Sequence, residues 1–262
     1  MQISFKSNTM YAVILAILAA LLLSISFSLL KQVNPNISSI LVVFIRSCFA
    51  SVLFIPTLVL NRKVITKTKK LFLYIIRVIL TVCAMSCTYY TYRNLPISIA
   101  TSIGMTSPLF VNILSIIVLK DQIKFDKWLL IVLGYIGILI IIRPIPFVLD
   151  HCSILAIISG LLANLLAGVI IIIIKILTRY DDPTIIVLYT NLGMIIVSFL
   201  LSIQKWQVLN LKDIILIFFI GITGITAQFF STKALKYSNP AFIAPFEYTR
   251  ILFAILIEWI TD

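Results

Sequence analysis

Two ionisable residues near the end of the chain, Glu247 and Arg250, carry opposite charges within one apolar run. Their spacing of three places both side chains on one helical face, where they can pair. Charged groups at membrane depth cost about 2.5–3.5 kcal/mol on insertion scales and often mark function. One interpretation is a neutralised pair that holds helices together. The other is a wet site in which the carboxylate meets a cationic group and the guanidinium an anionic one, as in a zwitterionic or cationic metabolite.

Two further arginines, Arg46 and Arg77, interrupt other apolar runs. At 1.5 Å of rise per residue, Arg46, Arg77 and Arg250 lie roughly 12, 9 and 15 Å into their predicted spans. Arg250 is therefore expected near the midplane, and Arg46 is either a second anion-binding residue or a structural pair partner. Arg77 is the weaker candidate, because a side chain at that depth can extend to the cytoplasmic interface.

Aromatic and proline residues surround these charges. Tyr248 adjoins Glu247, and Tyr89 belongs to a tyrosine cluster at the predicted outer end of the third span. Both could stack on a planar substrate group, although such a cluster is also typical of the aromatic belt at a membrane interface. Proline at membrane depth is tolerated where the freed carbonyl is buried in protein or faces a wet cavity. We therefore expect Pro108 and Pro245 to bend helices beside the site.

The composition indicates a membrane protein. The chain is 61% hydrophobic and 11% charged, with a mean hydropathy of +1.16, whereas a soluble domain carries about 25% charged residues. A span needs about 20 apolar residues, and nine such runs fill almost the whole chain. The sequence therefore predicts an all-α polytopic membrane protein with about nine transmembrane helices. The predicted spans are residues 10–30, 38–60, 71–92, 96–119, 128–143, 152–175, 184–203, 212–232 and 240–260.

A weak internal repeat relates the two halves of the chain. A shift of 140 positions places residues 92–121 on residues 232–261, with a basic residue, a kinked joint and an apolar run in each copy. Many secondary transporters are built from such duplicated helical units. We expect a five-helix unit at residues 1–145 and an incomplete second unit at residues 150–262, in which a tenth helix is missing.

The basic residues in the predicted loops set the orientation. With a cytoplasmic N-terminus, the inner loops and tail hold 13 Lys and Arg residues and the outer joints hold 5. Because cytoplasmic loops carry an excess of basic residues, we predict an inner-membrane protein with its N-terminus in the cytoplasm. The segment 61–70 supplies most of this bias.

Other classes of protein fit the sequence less well. The net charge of +12 comes from short loops, whereas nucleic-acid-binding proteins gather basic residues on one face of a domain. Phosphate-binding loops, zinc-protease motifs and Ser–His–Asp sets are absent from the sequence. No enzyme activity, cofactor or metal site is therefore predicted, and transport would have to be secondary because a nucleotide-binding segment is also absent.

Several segments together resemble the EamA-type families of the drug/metabolite transporter superfamily. They are VVFIRSCFASVLFIP at 42–56, LYIIRVILTVCAMSCTYYTYRNLPIS at 73–98, TSPLF at 106–110 with its counterpart FEYTR at 246–250, and GYIGILIIIRP at 134–144. The resemblance implies ten helices in two inverted five-helix halves. Within the superfamily, the arginine spacing and the PFEYT segment look most like the S-adenosylmethionine uptake transporters of obligate intracellular bacteria.

The resemblance implies a secondary transporter that works by alternating access, with a small-molecule site between the halves near the midplane. S-adenosylmethionine has a sulfonium, an amine, a carboxylate and an adenine ring, which suit these side chains, as do other amino-acid-like solutes. A truncated non-transporting remnant and an accessory subunit of another membrane complex are the alternatives, and a homodimer is compatible with the pattern. The predicted substrate-binding residues are Arg46, Arg77, Tyr89, Glu247, Tyr248 and Arg250.

Overall fold

The computed structural model describes residues 2–52, 70–95, 97–120 and 151–261, together with positions 129, 132, 133 and 136. Within these residues all regular secondary structure is helical. Two sequence predictions, the basic segment 61–70 and the fifth span at 128–143, lie almost wholly outside the described residues.

The described part of the chain forms ten α-helices. A π-helical turn at Ser115–Leu119 extends the fifth helix, and 3₁₀ turns occupy Ile203–Lys205 and Ala244–Tyr248. The α-helices are α1 (Gln2–Gln32), α2 (Ser39–Val52), α3 (Leu71–Asn94), α4 (Ile97–Gly104), α5 (Ser107–Leu114), α6 (His151–Leu177), α7 (Pro183–Ser202), α8 (Leu211–Tyr237), α9 (Pro240–Ile243) and α10 (Thr249–Thr261).

Seven helical segments in the described ranges are long and apolar enough to cross a bilayer. An eighth, α2, is apolar but has only 14 described residues. The prediction of an all-α polytopic membrane protein is confirmed, while the count of nine spans stays a prediction. The seven segments are Thr9–Gln32, Leu71–Asn94, Ser102–Leu119, Ile154–Leu177, Pro183–Ser202, Leu211–Tyr237 and Pro240–Ile257.

Contacts at both ends of α1 and α8 show that these two helices lie antiparallel along their length. At one end the backbone N–H of Asn34 donates to Oδ1 of Asp213 at 3.0 Å. At the other end the rings of Tyr11 and Tyr237 meet edge to face, with centroids 5.5 Å apart. The first and eighth helices therefore pack together although about 200 residues separate them in the chain.

The same antiparallel arrangement joins α3 to α6. The Thr91 hydroxyl donates to the carbonyl oxygen of Ala156 at 2.9 Å, and at the opposite end Tyr74 and Leu177 share one buried apolar cluster. Interhelical hydrogen bonds of this kind supply binding energy between helices in a bilayer, where the hydrophobic effect contributes little.

Basic residues fix the predicted cytoplasmic ends of α6, α7 and α8. The Nζ of Lys175 donates to the carbonyl oxygens of Leu235 and Ser238, both at 2.8 Å, which satisfies acceptors that the end of α8 leaves free. Lys236 forms an ion pair with Asp182 at 2.5 Å, just before α7 begins.

Two apolar segments of the bundle are interrupted helices that pack against each other. The first breaks between α4 and α5, and Pro108 lies in the first turn of α5. The second contains the 3₁₀ turn between α9 and α10, which includes Pro245. The contact between the two is a buried cluster of Met105 and Ile251 with Tyr248 packed against it. Both breaks fall at the same place in the 140-residue repeat, which relates positions 104–108 to 244–248.

Candidate functional site

The guanidinium of Arg250 lies over an aromatic ring from the first helix. Its Cζ is 5.6 Å from the centroid of the Phe27 ring, a cation–π distance. The Phe27 ring in turn stacks on Tyr92 of α3, with centroids 4.9 Å apart and an interplanar angle of 8°. Nearby, the Ser24 hydroxyl donates to the backbone oxygen of Arg250 at 2.8 Å and ties α1 to α10. Three helices that are distant in sequence therefore place a cation beside two stacked rings.

Gly104, the last residue of α4, lies beside Arg250 and Tyr92. A Cβ at this position would lie 3.2 Å from Nη2 of Arg250 and 3.4 Å from the hydroxyl oxygen of Tyr92. The bare backbone of Gly104 thus lies between the guanidinium and the phenol. We call Phe27, Tyr92, Gly104, Glu247 and Arg250 the central cluster.

Glu247 brings the opposite charge to the central cluster. It lies in the 3₁₀ turn, three residues before Arg250, and both side chains are half-buried. The two charges interact electrostatically, but they form no ion pair within 4 Å. In the described part of the chain no side chain or backbone group hydrogen-bonds to either head group. Neither charge is therefore neutralised by a direct ion pair in the described part of the chain.

Arg46 and Tyr89 form a second group. Arg46 is buried in α2, and its Nη1 donates to the hydroxyl of Tyr89 at 3.1 Å. Tyr89 and Tyr92 are three residues apart and therefore on the same face of α3. Phe27 also packs against the apolar core that contains Tyr89. The Arg46–Tyr89 group is thus a neighbour of the central cluster, on the side of α2 and α8.

Arg77 and Tyr248 have different surroundings from the central cluster, and their predicted role in substrate binding stays a prediction. Arg77 is completely buried between α3 and α7, where its Nη1 donates to the carbonyl oxygen of Ile186 at 3.2 Å. It precedes Tyr89 by 12 residues, or about 18 Å of helix, so the structure does not bring it to the other candidates. Tyr248 packs against Met105 and Ile251 at the meeting point of the interrupted helices.

The contacts identify three residues that were not among the predicted site residues: Phe27, Gly104 and Gly224. A Cβ at Gly224 would lie 3.1–3.3 Å from three guanidinium atoms of Arg46. The chain has only 8 glycines in 262 residues, so glycine within an apolar run was a usable signal of close approach. Phe27 is one of 17 phenylalanines and carried no such signal.

The described residues contain no group of three or more His, Cys, Asp or Glu side chains that could hold a metal ion.

A family model for EamA-like transporters matches the chain twice, over residues 10–143 and 154–261. The chain belongs to the EamA-like transporter family. The predicted resemblance is confirmed, and the protein is a multi-pass membrane transporter. A crystal structure of another protein superposes on this EamA-family transporter with a TM-score of 0.74 at 13% identity, covering 98% of this chain and 88% of the other, which shows a shared fold.

Three curated relatives of this EamA-family transporter carry different small metabolites. An S-adenosylmethionine uptake transporter of Rickettsia conorii is 25% identical over 87% of this chain and 76% of its own length. A riboflavin transporter of Brucella anthropi is 26% identical, over 87% and 81%. A pseudopaline exporter of Pseudomonas aeruginosa is 24% identical, over 95% and 86%. These similarities support a small-metabolite transporter without fixing the substrate.

Proposed function

We propose that this EamA-family transporter takes up S-adenosylmethionine across the inner membrane by alternating access, with the central cluster as its substrate site. The observation that carries the proposal is the pair of opposite charges, Glu247 and Arg250, which lack hydrogen-bond and ion-pair partners among the described residues. Arg250 lies over the ring of Phe27, which stacks on Tyr92. The similarity to S-adenosylmethionine uptake transporters supports this choice of substrate.

The chemistry of S-adenosylmethionine matches each part of the central cluster. Its carboxylate suits Arg250, because a guanidinium can bind a carboxylate through two parallel hydrogen bonds. Its ammonium and sulfonium suit Glu247, and the sulfonium is also attracted by aromatic faces. Phe27 and Tyr92 offer aromatic surface to the adenine ring. Each interaction with a charged group contributes about 1.5–3 kcal/mol, so loss of one partner should be measurable.

The transport cycle is proposed to use the two interrupted helices. The substrate site then lies between the units at residues 1–145 and 150–262, and the breaks at Pro108 and Pro245 are the points where helices bend. Broken helices that point their ends at a substrate near the midplane are a recurring design in secondary transporters. A cytoplasmic N-terminus places the ends of α3 and α7 that carry Tyr74 and Asp182 on the cytoplasmic side.

The test is uptake of labelled S-adenosylmethionine by cells that lack an importer of their own. We expect saturable uptake by the wild type and at least about tenfold less by Glu247→Gln at low substrate concentration, since about 1.4 kcal/mol corresponds to a factor of ten. Asp182→Asn is the matched control, because Asp182 is 65% exposed and pairs with Lys236. An exposed ion pair contributes only about 0–1 kcal/mol, so this variant should retain uptake.

Competition by unlabelled compounds distinguishes S-adenosylmethionine from other small metabolites as the substrate. Unlabelled S-adenosylmethionine should abolish the signal, whereas riboflavin, which has neither an ammonium nor a carboxylate, should not compete. Absence of uptake by well-expressed wild type would overturn the substrate assignment and leave a transporter of other amino-acid-like metabolites, the remnant and the accessory subunit as the alternatives. Equal uptake by Glu247→Gln and wild type would remove Glu247 from the site.

A further inference from the structure

Arg93 lies one helical turn beyond Tyr89, near the predicted outer end of α3. The two residues are four apart and share a helical face. The Nη1 of Arg93 donates to the backbone oxygen of Ile37 in the α1–α2 loop. Its Nε and Nη2 are buried and have no acceptor, so two of its donors point into the protein without a partner.

Arg46 approaches the same hydroxyl from α2. Its Nη1 donates to Tyr89, and its Nε is also buried without an acceptor. The Arg93 guanidinium lies within electrostatic range of that hydroxyl as well. Arg46 is thus hydrogen-bonded to Tyr89, and Arg93, one turn farther along α3, interacts with it electrostatically. Together the two arginines leave three donor nitrogens unpaired: Nε of Arg46, and Nε and Nη2 of Arg93.

The described residues do not balance the charge of these two guanidinium groups with direct ion pairs. Asp213 interacts electrostatically with Arg93, but the two make no ion pair within 4 Å. Instead, Oδ1 of Asp213 accepts the backbone N–H of Asn34. Among the described residues Arg46 has no carboxylate within ion-pair distance either, so the two guanidinium groups have only the interaction of Arg93 with Asp213 to offset their charge. A buried charge without a partner costs several kcal/mol, so this arrangement calls for an anion.

Gly224 gives Arg46 the room to reach this position. The guanidinium of Arg46 lies against α8 where Gly224 has no side chain, and a Cβ there would be 3.1 Å from its Nη2. Arg46 is only 3% exposed. Its head group is therefore held by the fold and is not turned toward lipid or solvent.

We propose that Arg46, Tyr89 and Arg93 form an anion site for a small carboxylate, outside the central cluster along the transport path. A carboxylate has about four acceptor positions, enough for the three unpaired donors and the Tyr89 hydroxyl. If the proposed function holds, on which this role rests, the substrate carboxylate binds here before it passes to Arg250. The proposed ligand is a small oxyanion, and chloride is the alternative anion that could bind at the same site.

The first measurement needs no transport. The purified full-length chain is unfolded thermally in sodium acetate or sodium chloride at equal ionic strength. We expect the midpoint in acetate to exceed that in chloride by about 2–4 °C, since a ligand that binds only the native state stabilises it. Arg93→Gln should lose this difference. Lys212→Gln should keep it, because Lys212 is an exposed basic residue beside Asp213. Arg93→Lys keeps the charge but not the planar guanidinium, so it should retain part of the difference between acetate and chloride. This variant replaces Arg93→Gln in the experiment if Arg93→Gln does not fold.

Equal midpoints in acetate and chloride, or a difference that persists in Arg93→Gln, would overturn the proposed anion site.

The second measurement compares uptake of S-adenosylmethionine with uptake of its decarboxylated analogue. Arg93→Gln should raise the half-saturation concentration of the first about tenfold and leave that of the second unchanged. An equal loss for both would mean that Arg93 only holds the loop at Ile37, and it would overturn the proposal. An Arg93-dependent acetate effect in a chain that does not transport S-adenosylmethionine would keep the anion site and reject the substrate.

Discussion

The substitution Gly104→Ala should weaken substrate binding without lowering the stability of the protein. In Gly104→Ala the new Cβ would lie 3.2 Å from the Arg250 guanidinium, which must shift by a few tenths of an ångström, and at an ordinary contact distance of 3.4 Å from the Tyr92 hydroxyl. We expect the half-saturation concentration for S-adenosylmethionine uptake to rise about fivefold, which corresponds to about 1 kcal/mol. The unfolding midpoint should stay level or rise, because alanine is the better helix former by about 1 kcal/mol, and Gly104 has no positive φ that alanine would strain.

Gly168→Ala is the matched control for that prediction. A Cβ at Gly168 would lie 3.0 Å from Cδ1 of Leu114, the end of a flexible side chain, and 3.3 Å from Cβ of Phe110, so both of these close contacts are apolar. The change therefore tests the cost of a methyl group in a helix of the same bundle, away from the central cluster. A similar loss of affinity in both variants would show that Gly104 has no special place beside Arg250.

Charge alone does not identify a site residue in this protein. Arg46, Arg77 and Arg250 look alike in the sequence, yet each has a different environment. Arg77 has one backbone acceptor at Ile186, Arg46 a tyrosine hydroxyl, and Arg250 only a ring face. Only Arg250 has an opposite charge three residues away, which the sequence itself shows. The side-chain partners of the three arginines differ, and the sequence did not show which partner each would have.

At the scale of helices, close packing of α8 on α2 sets the position of Arg46. A Cβ at Gly221 would lie 2.7 Å from the backbone oxygen of Arg46, and a backbone atom cannot move away cheaply. Overpacking of this kind costs about 1–3 kcal/mol. Gly221→Ala should therefore lower the thermal unfolding midpoint by several degrees in detergent, whereas Gly168→Ala should not. A Gly221→Ala protein as stable as the wild type would mean that α2 and α8 are farther apart than their contacts here require.

The two helix breaks that correspond in the 140-residue repeat have different surroundings in the structure. The sequence marked both breaks by Pro108 and Pro245, and the structure places a polar support beside the first of them. Nδ2 of Asn164 donates to the carbonyl oxygen of Ile103 at 2.8 Å, just before α4 ends. This bond satisfies a backbone group near the break. The second break carries Glu247, so one interruption supplies bare backbone at Gly104 and the other supplies charge.

At the scale of the whole molecule, the orientation can be tested by labelling. In a variant whose four native cysteines are replaced by alanine, cysteine is introduced at Asn36 or at Arg179, which are both exposed loop residues. With the N-terminus in the cytoplasm, a membrane-impermeant maleimide should label Asn36→Cys in intact cells. It should label Arg179→Cys only after the cells are opened. The opposite result would invert the orientation deduced from the basic residues.

Much of the architecture followed from sequence alone. Length and composition require several spans, because about 20 apolar residues cross the bilayer and few other folds can satisfy backbone groups in hydrocarbon. The boundaries of α3, α6, α7 and α8 agree to within two residues with the predicted spans at 71–92, 152–175, 184–203 and 212–232, except that α8 ends five residues later than predicted. These features depend on neighbours within one helix, which the sequence displays directly.

The candidate site could be predicted only in part. Glu247 and Arg250 were found because they are close in sequence and lie on one helical face. Phe27 was not found, since nothing in an apolar run of the first helix indicates that its ring contacts Arg250 more than 200 positions away. The pairing of Arg46 with Tyr89 was missed for the same reason, although both residues were candidates.

The sequence by itself determined the class of the protein, the positions of most spans and the presence of charges at membrane depth. The tertiary structure decided which of those charges have partners, which remain unpaired, and which glycines make room for them. The physical reason is that hydropathy and helix breaks are local properties of the chain. A hydrogen bond or a ring contact between helices depends instead on how two distant helix faces pack, and small residues at the interface set that packing.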